Sequence, residues 1–195
     1  MTSLWAVDKT RPLLVLLTET YPYLGPDDPF LPGEVRQLAT HFDVVVIPTM
    51  PPRDLRVQHD LPDGVTSPQG LILPHGISLW RVIRAAASRS CRSSTPASVR
   101  LSVSALLTYA RRWQRAMDWK EWTSAVLLPF IAHRPCVVYS WWGFAPAFGV
   151  AQGLEGSGIP MLVRVHGSLT MWVLPISELR GPTPHLPHQV MECFA

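Results

Sequence analysis

The sequence predicts an α/β domain with an open parallel sheet and helices on both faces, and three observations carry that prediction. Apolar runs at 13–17, 44–47, 136–139 and 161–165, broken only by Arg164 in the last, lack the polar alternation of a half-solvated strand. Strands buried on both faces read this way. Between the runs the apolar residues recur at helical spacing, and strands alternating with helices imply right-handed crossovers in one sheet. With 195 residues and 47% hydrophobic content, the chain has enough for one full core and is not disordered throughout.

In order along the chain, Pro12 to Thr18 gives a central strand, and a Pro/Gly/Asp-rich loop spans Tyr21 to Pro29. Leu31, Val35, Leu38, Ala39 and Phe42 then mark a helix with Pro32 in its first turn. Asp43 to Pro48 is a second strand, after which prolines keep the chain irregular, with short extended pieces, to about Gly76. Leu79, Val82, Ile83 and Ala86 predict a helix whose core face opposes Arg81, Arg84, Ser88 and Arg92. Val99, Val103, Leu106, Ala110, Trp113 and Met117 predict a second core stripe, and Trp122 to Ile131 a third helical stretch kinked or restarted at Pro129. Cys136 to Trp141 is a strand, Phe144, Ala147, Phe148, Ala151 and Leu154 a helix face, and Ile159 to Val165 the last strand. The result is a Rossmann-like open sheet.

Charge is unevenly spread. Residues 1–75 carry 5 Lys/Arg against 9 Asp/Glu, residues 76–135 carry 10 against 2, and residues 136–195 carry 2 against 3. The basic middle third suits a solvated face, an anionic membrane surface or a phosphorylated ligand. Nucleic acid is not expected, because no aromatic-basic sheet motif or helix-turn-helix signature accompanies it. The three cysteines have no paired spacing, which argues against a disulfide framework and points to a reducing compartment, the cytoplasm. The apolar run at 13–17 is too short for a signal peptide. The uncharged stretch from Pro135 to Leu154 parses better as strand plus helix than as a membrane span, given its two prolines and three glycines.

Two groups of residues resemble a known family. The first is Glu19-Thr-Tyr-Pro-Tyr23, then Asp28-Pro-Phe-Leu-Pro-Gly-Glu34, a helix, and Phe42-Asp-Val-Val-Val-Ile-Pro48. The second is Val138-Tyr-Ser-Trp-Trp142 with Val163-Arg-Val-His-Gly167. Together they resemble the N-terminal domain of GT-B glycosyltransferases of glycosyltransferase family 4. The resemblance implies one half of a GT-B fold over residues 12–167, chiefly binding the acceptor, a glycan or lipid-linked sugar. A separate domain would bind the nucleotide-sugar donor as substrate, with no resident cofactor. The family continues after its Arg-x-His-Gly with an Asp and a bulky pair, whereas here Ser168 to Trp172 and a Pro-rich stretch to residue 195 follow. That departure reads as an irregular tail of a truncated or frame-altered product, inactive alone.

The candidate site follows from these motifs. The resemblance implies that His166, at the carboxyl end of a strand, faces the donor sugar as the catalytic candidate, with Gly167 admitting backbone close to the ligand. The alternative is a loop histidine bonded to backbone. Gly25, Asp28, Phe30 and Gly33 shape the loop before the first helix, where a phosphate or sugar meets the helix N-terminus. Glu34 is either an acceptor contact or a carboxylate favoured by the helix dipole. Trp141 and Trp142 line the cleft or pack under the neighbouring loop, and Arg164 seeks a carboxylate or phosphate, or an internal ion pair. His185, His188 and Cys193 lack a metal-site spacing, so no metal is expected. No Gly-x-Gly-x-x-Gly or Gly-x-Ser-x-Gly pattern points to a dinucleotide or a serine hydrolase.

Overall fold

A computed structural model describes residues 11–25, 30–52, 59–73, 79–87, 89–94 and 103–164. Strands β1 (Leu13–Thr18), β2 (Asp43–Pro48), β3 (Val65–Thr66), β4 (Cys136–Ser140) and β5 (Met161–Val163) form a single sheet in the order β3-β2-β1-β4-β5. Every pairing is parallel. Val15 at the centre faces Val45 on one side and Val138 on the other. The four apolar runs are therefore adjacent strands, as predicted, and the two-residue β3 adds an edge from the Pro-rich stretch.

Both faces are covered because each strand alternates its side chains between them. On one face Leu14, Leu16, Val44 and Val46 pack under α1 (Leu31–Leu38), which buries Leu31 and Val35 and has a proline in its first turn. On the other, Leu13, Val15, Leu17, Val45, Ile47 and Val138 meet a layer built from two helical segments. The first is α4 (Val103–Trp122), which runs through a π-helical turn at Thr123–Leu127 into α5 (Leu128–Ile131). It contributes Trp119, Trp122, Leu127 and Ile131. The second is α6 (Ala145–Gly153), which with the Leu154 beyond it contributes Val150 and Leu154. A third cluster of Val82, Cys91 and Ala110 joins α2 (Leu79–Ala87) and α3 (Arg89–Ser94) to the first half of α4.

Three predicted helix faces are borne out only in part: Ala110, Ala147, Leu154 and Val82 are buried as expected, but other positions of each stripe are not. In α4 the buried positions are Ala110, Ala116, Trp119 and Trp122, whereas Val103 is 76% exposed. The helix serves three partners, α2 early, α6 along its middle and the sheet late, so no single stripe describes it. In α6 the buried side is Ala147, Gly149, Val150 and Gly153, while Phe144 and Ala151 are exposed. The glycines decide this orientation: a Cβ on Gly149 would strike the Ala116 carbonyl oxygen and one on Gly153 the Thr123 side chain, so α6 lies directly on α4. In α2 the buried residues are Val82 and Ala85, and Ile83, predicted for the core, is 42% exposed. The π turn, which ends at Leu127, comes before Pro129, so the irregularity begins upstream of the expected kink.

Candidate functional site

The strand order reverses between β1 and β4, and in open α/β sheets ligands settle outside the carboxyl ends of the strands at that reversal. The loops here are tied together by backbone. The N–H groups of Thr49 and Met50, just past β2, donate to the carbonyls of Thr18, the last residue of β1, and of Glu19 beyond it. Thr49 Oγ1 also donates to the Thr18 carbonyl at 2.8 Å, and Trp141 N–H, past β4, to the Leu17 carbonyl. A rigid rim results.

On the α1 side of that rim four side chains converge. Glu34, in the first turn of α1, accepts from the Tyr139 hydroxyl on Oε1 and from Arg164 Nη1 on Oε2, each at 2.9 Å. The Arg164 guanidinium lies 4.1 Å from the centre of the Trp141 ring. Tyr139 and Trp141 meet edge to face, their ring centres 6.3 Å apart. The local cause is period two: Tyr139 and Trp141 are alternate residues of β4 and its extension, so both point to the α1 face. Arg164 continues β5, its N–H donating to the Ser140 carbonyl.

The electrostatics follow from burial. Burial first, then the hydrogen bond to Glu34, pushes the Tyr139 phenol up to about 12, so it stays a donor at neutral pH. Arg164 keeps 45% of its side chain exposed and Glu34 30%, which leaves the pair open to the crevice. A planar guanidinium fixed by a carboxylate and a ring face still offers N–H groups to a hydroxyl, carboxylate or phosphate oxygen. Trp141 itself is buried and its face is taken by Arg164, so it supports the arginine rather than a ligand. Trp142 is half-buried and stacks on the exposed Phe144 at 5.5 Å.

Among the other predicted residues, Gly25 is held to glycine because a Cβ would collide with the Thr20 side chain. Gly33 lies inside α1, where a Cβ would meet nothing within 4 Å, so no close approach explains it. Phe30 precedes α1 and is 62% exposed. Asp28, His166 and Gly167 lie outside the described residues, as do His185, His188, Cys193 and the predicted tail. Among the described residues no group of three or more His, Cys, Asp or Glu could hold a metal ion, and no helix is long and apolar enough to cross a membrane.

Two residues of the rim were not singled out from sequence. Tyr139 was readable, since its spacing from Trp141 places both on one face. Arg115 is one of the basic residues of the middle third, and it reaches the rim, donating to the Thr49 carbonyl at 2.7 Å with its guanidinium 5.9 Å from the Trp119 ring centre. Burial lowers its pKa from the usual arginine range, and Asp118 opposes that shift. Comparison of the chain with protein-family models, with curated proteins and with solved structures gave no match in any of the three.

Proposed function

We propose that this chain is the acceptor-side domain of a GT-B sugar transferase similar to glycosyltransferase family 4. The complete enzyme transfers a sugar from a nucleotide-sugar donor to a glycan or lipid-linked acceptor. One observation carries the reading: Glu34 and Arg164, drawn from two separate family-like motifs 130 residues apart, meet in one ion pair at the carboxyl ends of a doubly wound parallel sheet. In this reading Arg164, steadied by Glu34 and Trp141, orients acceptor oxygens, and His166, two residues further on, approaches the donor sugar. Gly25, Asp28, Phe30 and Gly33 frame the entrance, Trp142 flanks it, and Gly167 admits the ligand beside His166. The donor and its leaving diphosphate are held by a second domain, without which the positioning advantage of about 7–11 kcal/mol is largely forfeited. The enzyme works in the cytoplasm, peripheral to the inner face of a membrane.

A second reading, a non-catalytic domain for a phosphorylated ligand, a partner protein or an anionic surface, is favoured by exposed arginines of the middle third such as Arg84, Arg89 and Arg111. Nucleoside diphosphate release from a panel of sugar nucleotides separates the two. The chain alone should release none, and the chain with a donor-binding domain should turn over at a rate that His166→Ala lowers. Release by the chain alone, or no release in any pairing, contradicts the first reading.

A further inference from the structure

The outward face of α2 is built the wrong way round for a helix that ends in water. Val82 packs against Ala110 of α4 and Ala85 is also buried, whereas Trp80, Ile83, Arg84 and Ala87 are exposed at the i, i+3, i+4, i+7 spacing of one stripe. Trp80 is 78% exposed, the most exposed of the large hydrophobic side chains among the described residues. A solvated helix normally presents charged and short polar groups there. This one presents an indole, a branched aliphatic and a guanidinium together, beside an open depression of about 550 Å³ lined by Trp80, Arg81, Ile83 and Arg84. The depression is lined by residues of α2 alone and shares none with the rim.

The arginines of α2, α3 and α4 are of two kinds. Arg81 is occupied, paired with Asp118 at 2.7 Å and near Glu121 at 4.0 Å. Arg84 on α2, Arg89 on α3 and Arg111 on α4 are exposed and make no ion pair among the described residues. They belong to the stretch from 76 to 135 that carries 10 basic residues against 2 acidic. We propose that the Trp80–Ile83–Arg84 face of α2 docks on an anionic lipid bilayer. An indole settles at the level of the headgroups, the aliphatic side chain reaches the acyl boundary, and the arginine meets lipid phosphate. Each basic residue near such a surface adds attraction that salt screens beyond about 10 Å at 0.1 M. The proposal deepens the peripheral placement given above and does not depend on sugar chemistry.

The test is co-sedimentation of the full chain with phosphatidylcholine vesicles, with and without phosphatidylglycerol. The wild-type chain should bind the anionic vesicles, release as salt rises, and bind the neutral ones much more weakly. Trp80→Ser with Arg84→Glu should weaken binding about tenfold or more, while Arg84→Lys retains most of it. Both positions are exposed, and an unchanged thermal unfolding curve confirms that the fold is kept. Undiminished binding by the double variant, equal binding to neutral vesicles, or a concentration-dependent dimer abolished by Trp80→Ser would each overturn the proposal. Loss of vesicle binding by the double variant, with diphosphate release intact when that variant is paired with a donor-binding domain, separates this surface from the strand-end site.

Discussion

The sheet has an Arg–carboxylate pair at each end, and the two are built for different purposes. At the amino ends of the strands Arg134, just before β4, binds Asp43 at the start of β2, with side-chain exposures of 14% and 6%. The same guanidinium donates to the Arg11 carbonyl at 2.6 Å, so the pair is wrapped in protein and closes that end. At the carboxyl ends Arg164 and Glu34 are several times more exposed and rest on Tyr139 and Trp141. A buried pair is costly to break because one charge is then stranded, whereas an open pair contributes about 0–1 kcal/mol. Stability therefore explains the first pair and does not account for the second.

The largest effect follows directly. Asp43→Ala strands Arg134 and should cost about 3–5 kcal/mol in urea unfolding, while Glu34→Ala should cost about 1 kcal/mol or less. Equal losses would erase the distinction between the two ends. The helices that cover the two faces give a second contrast. Gly149→Ala drives a methyl into the Ala116 carbonyl at the α4–α6 crossing and should cost about 1–3 kcal/mol, more than the helix propensity it gains. Gly33→Ala in α1 meets open space and should stabilise by up to about 1 kcal/mol. A loss at Gly33 would mean that its backbone serves a close approach after all.

How far the sequence could be read depended on what sets each feature. Strands buried on both faces announce themselves by composition, so β1, β2 and β4 were legible, and so was the parse of Pro135 to Leu154 into strand and helix; β5 was located by the same signal but is an edge strand, with Leu162 39% and Val163 38% exposed rather than buried. Helix faces were less so, because periodicity locates an apolar stripe without saying which neighbour it meets. The stripe through Val103 held at Ala110 but not at its exposed start, and that through Phe144 held at Ala147, Leu154 and Phe148, which meets Trp113, but not at Phe144 and Ala151, because Gly149 and Gly153 set the closest approach to α4. At the rim the residue types of Glu34 and Arg164 were legible, but their pairing joins distant segments and needed the fold.

Alkaline pH gives a smaller effect at both ends, through Cys136 at the amino end and Tyr139 toward the carboxyl end. Tyr139 is raised from 10.0 to about 12 and Cys136 from 9.0 to about 11, both chiefly by burial. A raised pKa means that the folded state holds the proton more tightly. The associated stability is complete below pH 9 and is lost as pH rises through about 11 for the thiol and about 12 for the phenol. Glu34→Gln removes the carboxylate beside Tyr139, so the Tyr139 phenol, read by phenolate absorbance as the difference from Tyr139→Phe, should ionise at lower pH. No movement would place Tyr139 away from Glu34 in solution.

The central claim, that the open pair at the carboxyl end receives a sugar acceptor, is tested most directly by calorimetric titration of the chain with a panel of oligosaccharides and lipid-linked saccharides. The same panel is applied to Arg164→Ala and Asp43→Asn. The account predicts that at least one saccharide class binds the wild-type chain, that Arg164→Ala weakens it by about tenfold or more with unfolding nearly unchanged, and that Asp43→Asn lowers stability while the surviving folded fraction binds normally. Saccharide binding that Arg164→Ala leaves intact, or no binding across the panel, would contradict it.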